Sequence, residues 1–187
     1  NVSYADANAA SRTIAAGTAR GYIINITTPL FDRGEYNLTF SSSLANGTNT
    51  FRLDPTISAC GTVAASGDYT LTGSLSTTGT CLSVTASNVL INCVGYTIDG
   101  DDSGADFGID GSSAQNVTVG NCTITDFQEG IYASTTAHNL TIANSTISSN
   151  TDDGLDASLT TNIYVYNSTF SSNAGSGVEL TGVTYFN

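Results

Sequence analysis

The feature that most constrains this chain is a repeat of 23 residues. Asn116-Val117-Thr118-Val119, Asn139-Leu140-Thr141-Ile142 and Asn162-Ile163-Tyr164-Val165 recur at that interval. Within each unit the same features return in order. Asn121, Asn144 and Asn167 come first, then Thr123-Ile124, Thr146-Ile147 and Thr169-Phe170, then Gly130-Ile131, Gly154-Leu155 and Gly177-Val178. An earlier unit, Asn88-Val89-Leu90-Ile91 with Gly108-Ile109, keeps the order over 28 residues, and Thr70-Leu71 with Cys81-Leu82-Ser83-Val84 reads as one more. Every unit alternates apolar and polar residues in short runs broken by Gly, Asn, Ser or Asp, with no helical period. So short a unit cannot bury its apolar residues alone, whereas stacked units bury a continuous column. The pattern therefore predicts an all-β chain. Residues 57–187 form a parallel β-helix of about 23 residues per coil, with Val117, Val119, Ile124 and Ile131 facing its interior. Roughly six coils from Pro55 onward, at about 4.8 Å per rung, make a prism about 25–30 Å tall.

Stacking gives the repeated residues roles. Asn121, Asn144 and Asn167 fall in one slot of successive coils, which predicts an inward structural ladder of asparagine amides. Cys93 takes that slot one coil earlier and Cys122 lies one place past it, within disulfide range across neighbouring coils. This favours Cys93–Cys122 and, by elimination among four cysteines, Cys60–Cys81.

The stretches Cys60-Gly61-Thr62, Gly79-Thr80-Cys81, Asn92-Cys93-Val94-Gly95-Tyr96-Thr97-Ile98-Asp99-Gly100 and the Asn-Val-Thr-Val…Asn-Cys-Thr-Ile units resemble right-handed parallel β-helix repeat proteins of the NosD-like type. The resemblance covers residues 57–187. It implies the fold and points to archaeal and bacterial cell surfaces, where such repeats are frequent. It does not imply one activity, because this fold carries lyases, hydrolases, adhesins and structural proteins. The copper role attached to the name does not transfer to a chain with no Met and one His.

Charge narrows the partners. Lysine is absent, and Arg12, Arg20, Arg33 and Arg52 are the only formal cations. Against three acids, they give residues 1–52 a charge of +1, and the thirteen acids beyond give −13. Such a surface repels nucleic acid and anionic lipid, so neither nucleic-acid binding nor membrane insertion is expected. Asn-x-Ser/Thr sequons begin at nine positions: Asn1, Asn25, Asn37, Asn46, Asn116, Asn121, Asn139, Asn144 and Asn167. With an even number of cysteines they predict an exported, extracellular glycoprotein. Asn25, Asn37, Asn46, Asn116 and Asn139 are the expected glycan sites, since inward amides at Asn121, Asn144 and Asn167 would be closed to a glycosyltransferase.

Residues 1–56 lack the repeat and read as a separate strand region, with strands at 22–27, 36–40 and 51–53. Residues 1–21, small and polar, read as a flexible arm or as a strand that orders against a partner.

Candidate chemistry gathers on carboxylates. In Thr97–Asp110 the residues Asp99, Asp101, Ser103 and Asp110 match the ligand spacing of a twelve-residue calcium loop, with Gly104 at the bend. Asp-Gly and Ser-Gly are also turn formers, so an extended turn is the competing reading. No cofactor is required, and calcium is the one metal the spacing suggests. Asn150-Thr151-Asp152 resembles a polygalacturonase motif, yet the companion basic residues are missing, so an enzyme is not expected. Asp110, Tyr132, Asp156 and Glu179 are predicted to form one outward column able to meet a cation or a glycan, and His138 to sit in an exposed turn. A β-helix has open strand edges at both ends. The expectation is therefore a secreted, glycosylated structural protein that assembles with other copies head to tail, as a filament or surface layer. A glycan-binding adhesin is the alternative, and a carbohydrate-active enzyme the second alternative.

Overall fold

The computed structural model describes residues 2–6, 9–14, 35–42 and 45–52 as backbone, and residues 55–134 and 137–187 with their side chains. The chain divides into two compact units at Asp54/Pro55. The first holds β1 (Val2–Asp6), β2 (Ala9–Ile14), β3 (Glu35–Ser42) and β4 (Ala45–Arg52) in an antiparallel sheet ordered β2-β1-β3-β4. Within the expected arm, β1 pairs with β2 and also with β3 of its own unit, and residues 15–21 lie outside the described residues. The strand expected at 22–27 lies outside the described residues. Residues 36–40 fall within β3, and Phe51-Arg52 ends β4 rather than starting a further strand.

The second unit is a parallel β-solenoid. It opens with β5 (Thr56–Ile57) and β6 (Gly61–Val63), then runs through five three-stranded coils. These are β7 (Gly67–Leu71), β8 (Leu75–Ser76) and β9 (Leu82–Val84); β10 (Val89–Asn92), β11 (Thr97–Asp99) and β12 (Phe107–Asp110). The next coil is β13 (Gln115–Gly120), β14 (Thr123–Thr125) and β15 (Glu129–Ala133). The last two are β16 (His138–Ala143), β17 (Thr146–Ser148) and β18 (Leu155–Ser158), then β19 (Thr161–Tyr166), β20 (Thr169–Ser171) and β21 (Val178–Thr181). Face 1 orders β19-β16-β13-β10-β7-β5, face 2 β20-β17-β14-β11-β8, and face 3 β21-β18-β15-β12-β9-β6.

Register turns the repeat into columns of like residues. Ile91, Val119, Ile142 and Val165 stack on face 1. Leu75, Ile98, Ile124, Ile147 and Phe170 stack on face 2, and Leu82, Ile109, Ile131, Leu155 and Val178 on face 3. Val117, Val119, Ile124 and Ile131 all lie in the core. Each fully buried aliphatic side chain contributes about 1.5–3 kcal/mol, so the columns supply the main cohesion between coils.

Corners are set by left-handed backbone. Asn88, Asn116, Asn139 and Asn162 enter face 1 with φ of 55–58°, and Asn121, Asn144 and Asn167 leave it with φ of 48–56°. Asn is the non-glycine residue best suited to that region. Both asparagine columns lie at the surface. In the entry column each Nδ2 donates to the Oδ1 of the coil before, from Asn116 to Asn88, Asn139 to Asn116 and Asn162 to Asn139, at 2.7–2.8 Å. In the exit column Asn121 donates to Asn92 at 3.0 Å and Asn167 to Asn144 at 2.6 Å. The expected inward placement of Asn121, Asn144 and Asn167 is therefore corrected: the amides do ladder, but on the outside. The inward ladder belongs to Asn150, 2 % exposed, whose Nδ2 donates to Asn173 Oδ1 at 2.9 Å while its Oδ1 accepts from Phe127 N at 3.2 Å.

Two disulfides staple neighbouring rungs, Cys60 to Cys81 and Cys93 to Cys122, and no described cysteine is free. Among the described residues no helix is long and apolar enough to cross a membrane.

Candidate functional site on the acidic face

The calcium-loop residues are spent on separate contacts. Asp101 Oδ1 accepts from Ser103 N at 3.2 Å and from Ser103 Oγ at 2.9 Å, closing a local turn. At the far end of β12, Asp110 Oδ1 accepts from Ser112 N at 3.0 Å and from Ser112 Oγ at 2.6 Å. Asp99 meets Asp126 of the next coil; burial, then that carboxyl and the charge of Asp102, hold its pKa above the usual range. The structure does not converge the four on one point. Asp99 ends β11 and Asp110 ends β12, with a long turn over residues 100–106 between them.

His138 is likewise not in an exposed turn. It begins β16, half-buried, with Nδ1 3.0 Å from Thr161 Oγ1 one coil on. Asn150 of the Asn-Thr-Asp stretch is bound into the buried ladder, which leaves its amide no reach toward a substrate. Asn116, Asn139, Asn121, Asn144 and Asn167 are all exposed, so burial separates none of these sequons from the others. Asn25 and the side chains of Asn37 and Asn46 lie outside the described residues.

Carboxylates do gather on face 3. Ser83, Asp110, Tyr132, Asp156 and Glu179 are register neighbours up the sheet, and the Tyr132 ring stacks on Phe107 with centroids 4.6 Å apart. Beside this column, at the corner entering face 3, stand Asp106, Glu129, Asp152 and Asp153. Two of them are residues that charge counting in the sequence did not single out. Asp106 is 4 % exposed; its Oδ1 accepts from Gln128 N at 3.1 Å and its Oδ2 has no partner. Glu129 is 9 % exposed and its Oε2 has no partner either. Alternation held the signal for Glu129, since it shares parity with the interior residue Ile131.

Electrostatics follow from the absence of Lys and Arg beyond residue 52. Burial, then the charges of Asp156, Asp153, Asp152 and Glu179, push the Glu129 carboxyl from 4.5 up to about 7. Burial, then Asp153 and Asp152, also raise Asp156, and the charge of Asp153 foremost raises Glu179. Among the described residues no three Asp, Glu, His or Cys side chains come together closely enough to hold a metal ion as they stand.

Glu129 binds its proton more tightly folded than unfolded, so the stability this confers is full below about pH 4.5 and is lost as pH rises through about 7. Thermal unfolding across that range is expected to show a midpoint that falls with rising pH. Glu129→Gln, which keeps the shape without the charge, is expected to flatten the slope and to add roughly 1–2 kcal/mol above neutrality, after solvent screening. A wild-type midpoint that rises with pH would contradict this account of the cluster.

A family model described as a right-handed β-helix region matches residues 68–185, well over half of the chain. The chain belongs to the right-handed β-helix family. No curated protein and no solved structure gives a significant match. The matched span covers the coils from β7 through β21, and with them every acidic residue of face 3. Membership in the β-helix family fixes the scaffold that carries the cluster and leaves its chemistry to be read from the residues themselves.

Proposed function

We propose that the protein is a secreted, glycosylated structural component of a cell surface that assembles head to tail into a filament or layer. The observation that carries this reading is a patch of exposed apolar side chains on β19, β21 and residues 185–186. There Tyr164, Tyr166 and Leu180 are 37, 55 and 38 % exposed, with Tyr185 and Phe186 beside them at 48 and 44 %. One coil earlier, the register partners of Tyr166 and Leu180 are Ala143 and Ala157, both buried. Residues 184–187 already bond along β19, with Ile163 N donating to Tyr185 O at 2.9 Å and Asn187 N to Ile163 O at 3.0 Å, so the exposed apolar side chains rather than open backbone would make the contact; a translational contact that does not close gives an open fibre. Two disulfides favour an oxidising compartment, and the five exposed sequon asparagines of the coils are open to glycan transfer.

Electron microscopy and sedimentation over a concentration series test the reading. Ordered polymers are expected, and Leu180→Lys is expected to move their onset to at least ~10-fold higher concentration, since burying an unpaired cation costs several kcal/mol. Monomers at every concentration would sink the proposal. A second reading, a glycan-binding adhesin, draws support from the Phe107–Tyr132 stack beside Asp110 and Asp156, which offers an aromatic face with adjacent acceptors. Its mark would be polysaccharide binding by a monomer, lost in Tyr132→Ala.

A further inference from the structure

Glu129 is a buried carboxylate that feels the charges of four others, Asp156, Asp153, Asp152 and Glu179, and nothing in its own unit supplies a compensating charge. Beyond residue 52 there is no Lys or Arg, and the one histidine, His138, is engaged with Thr161. Its Oε2 lacks any hydrogen-bond partner although the residue is only 9 % exposed. A buried charge left this way costs several kcal/mol unless a proton or a cation neutralises it.

The corner is also shaped around oxygen atoms. Gly175, one coil beyond Asp152 and Asp153, sits where a Cβ would come within 2.5 Å of both Asp152 Oδ1 and Asp153 Oδ1. Those two oxygens therefore lie within about 5 Å of one another around one point that a side chain would fill. Backbone holds the loop in place, with Gly175 N donating to Asp152 O at 2.7 Å and Ser176 N to Asp153 Oδ1 at 2.5 Å. Glu179 stands in hydrogen-bonding contact with Asp153, and Asp156 is its register neighbour on face 3.

From these positions we infer that the corner formed by Glu129, Asp153, Asp156 and Glu179 binds one hard divalent cation of the calcium class. Oxygen-only donors drawn from three successive coils suit the large, flexible coordination sphere of calcium better than the tight octahedron of magnesium. Soft metals find no free thiol or imidazole here. Bound among them, the cation turns the mutual repulsion of the four carboxylates into attraction to one centre. The site clamps the coil β13–β15 to the two coils that follow it. It is separate from the Asp99–Asp110 turn, whose carboxylates are engaged elsewhere, and it does not depend on assembly.

The test is calorimetric titration of the full chain with calcium chloride at a concentration where it is monomeric, alongside thermal unfolding in calcium and in sodium chloride of equal ionic strength. The expected result is one saturable site and a higher unfolding midpoint in calcium. Glu129→Gln is expected to weaken binding at least tenfold while leaving the protein folded, and Asp156→Asn to weaken it as well. Asp101→Asn, in the turn, should bind as wild type. Three results would each overturn the proposal: no saturable heat at millimolar calcium, a Glu129→Gln variant that binds within twofold of wild type, or equal stabilisation by sodium chloride. Binding lost in Asp101→Asn and kept in Glu129→Gln would move the ion to the turn and refute the corner.

Discussion

Gly130→Ala is expected to destabilise the solenoid by about 3 kcal/mol or more, beyond the usual range for an overpacked site because backbone is among the obstacles. A Cβ at Gly130 would run into Ile147 Cγ2 and come within 2.8 Å of the Gly154 carbonyl oxygen and 2.9 Å of Asn150 Nδ2. Neither of the latter can retreat freely. The carbonyl accepts from Ile131 N at 3.0 Å in the ladder, and the amide belongs to the buried Asn150–Asn173 pair. The same closeness recurs up the column. Cβ atoms at Gly108 and Gly154 would approach the carbonyl oxygens of Gly130 and Gly177 to 2.6 Å each. These glycines are required because backbone packs on backbone at the entry to face 3. Gly79→Ala provides the control, since nothing lies within 4 Å of its Cβ position. Urea unfolding of the two variants should separate them clearly. Equal midpoints would mean that the glycine column is not a close-packing device.

Removing the disulfides is expected to cost at least as much. Loop closures of 21 and 29 residues each restrict the unfolded chain by about 3–4 kcal/mol in the chain-entropy treatment. A domain whose total stability is about 5–15 kcal/mol stands to lose much of it when both are cut. Cys93→Ser with Cys122→Ser should therefore lower the denaturation midpoint strongly, and reduction of the wild type should lower it further. The chemistry of the site predicts where the loss originates. Both cysteines of the second pair lie in the core, at 0 and 2 % exposure, so the bond also fills interior volume that two serines would leave polar. If reduction leaves the midpoint within a degree or two, the stacked columns alone hold the early coils.

Much of the architecture was legible because a solenoid writes its register into the spacing of residues. Asn116, Asn139 and Asn162 are 23 apart, and that interval places Val117 over Leu140 and Leu140 over Ile163. The column Asp110–Tyr132–Asp156–Glu179 was readable for the same reason. Where the reading failed, two alternations collide at a corner. Counting forward from Val119 puts Asn121 inside, while counting backward from Ile124 puts Cys122 inside. The left-handed residue at the corner breaks the alternation in favour of the second count, and Cys122 and Ser145 go in while Asn121 and Asn144 stay out. Asn150 and Asn173 share the 23-residue interval too, so the true inward ladder was also marked in the sequence. The N-terminal sheet was harder to read. β1 pairs with its sequence neighbour β2 and β3 with β4, yet no repeat registers these strands, and small residues such as those of Ala9–Ile14 carry little strand signal. The burial of Asp106 depends on contacts at a corner that local pattern does not report, whereas that of Glu129 was marked by its parity with Ile131.

The long turn between β11 and β12 shows how much loop length such a scaffold tolerates. Ile98 to Ile109 spans eleven residues, where the following coils use seven or eight between the same two positions. Yet Ile98 still pairs with Ile124 and Ile109 with Ile131, so the added residues leave both rungs undisturbed. Corners of this kind let mutation and selection lengthen or exchange a loop without renegotiating the core beneath it. Novelty can then be acquired one corner at a time, while the stack below is inherited intact.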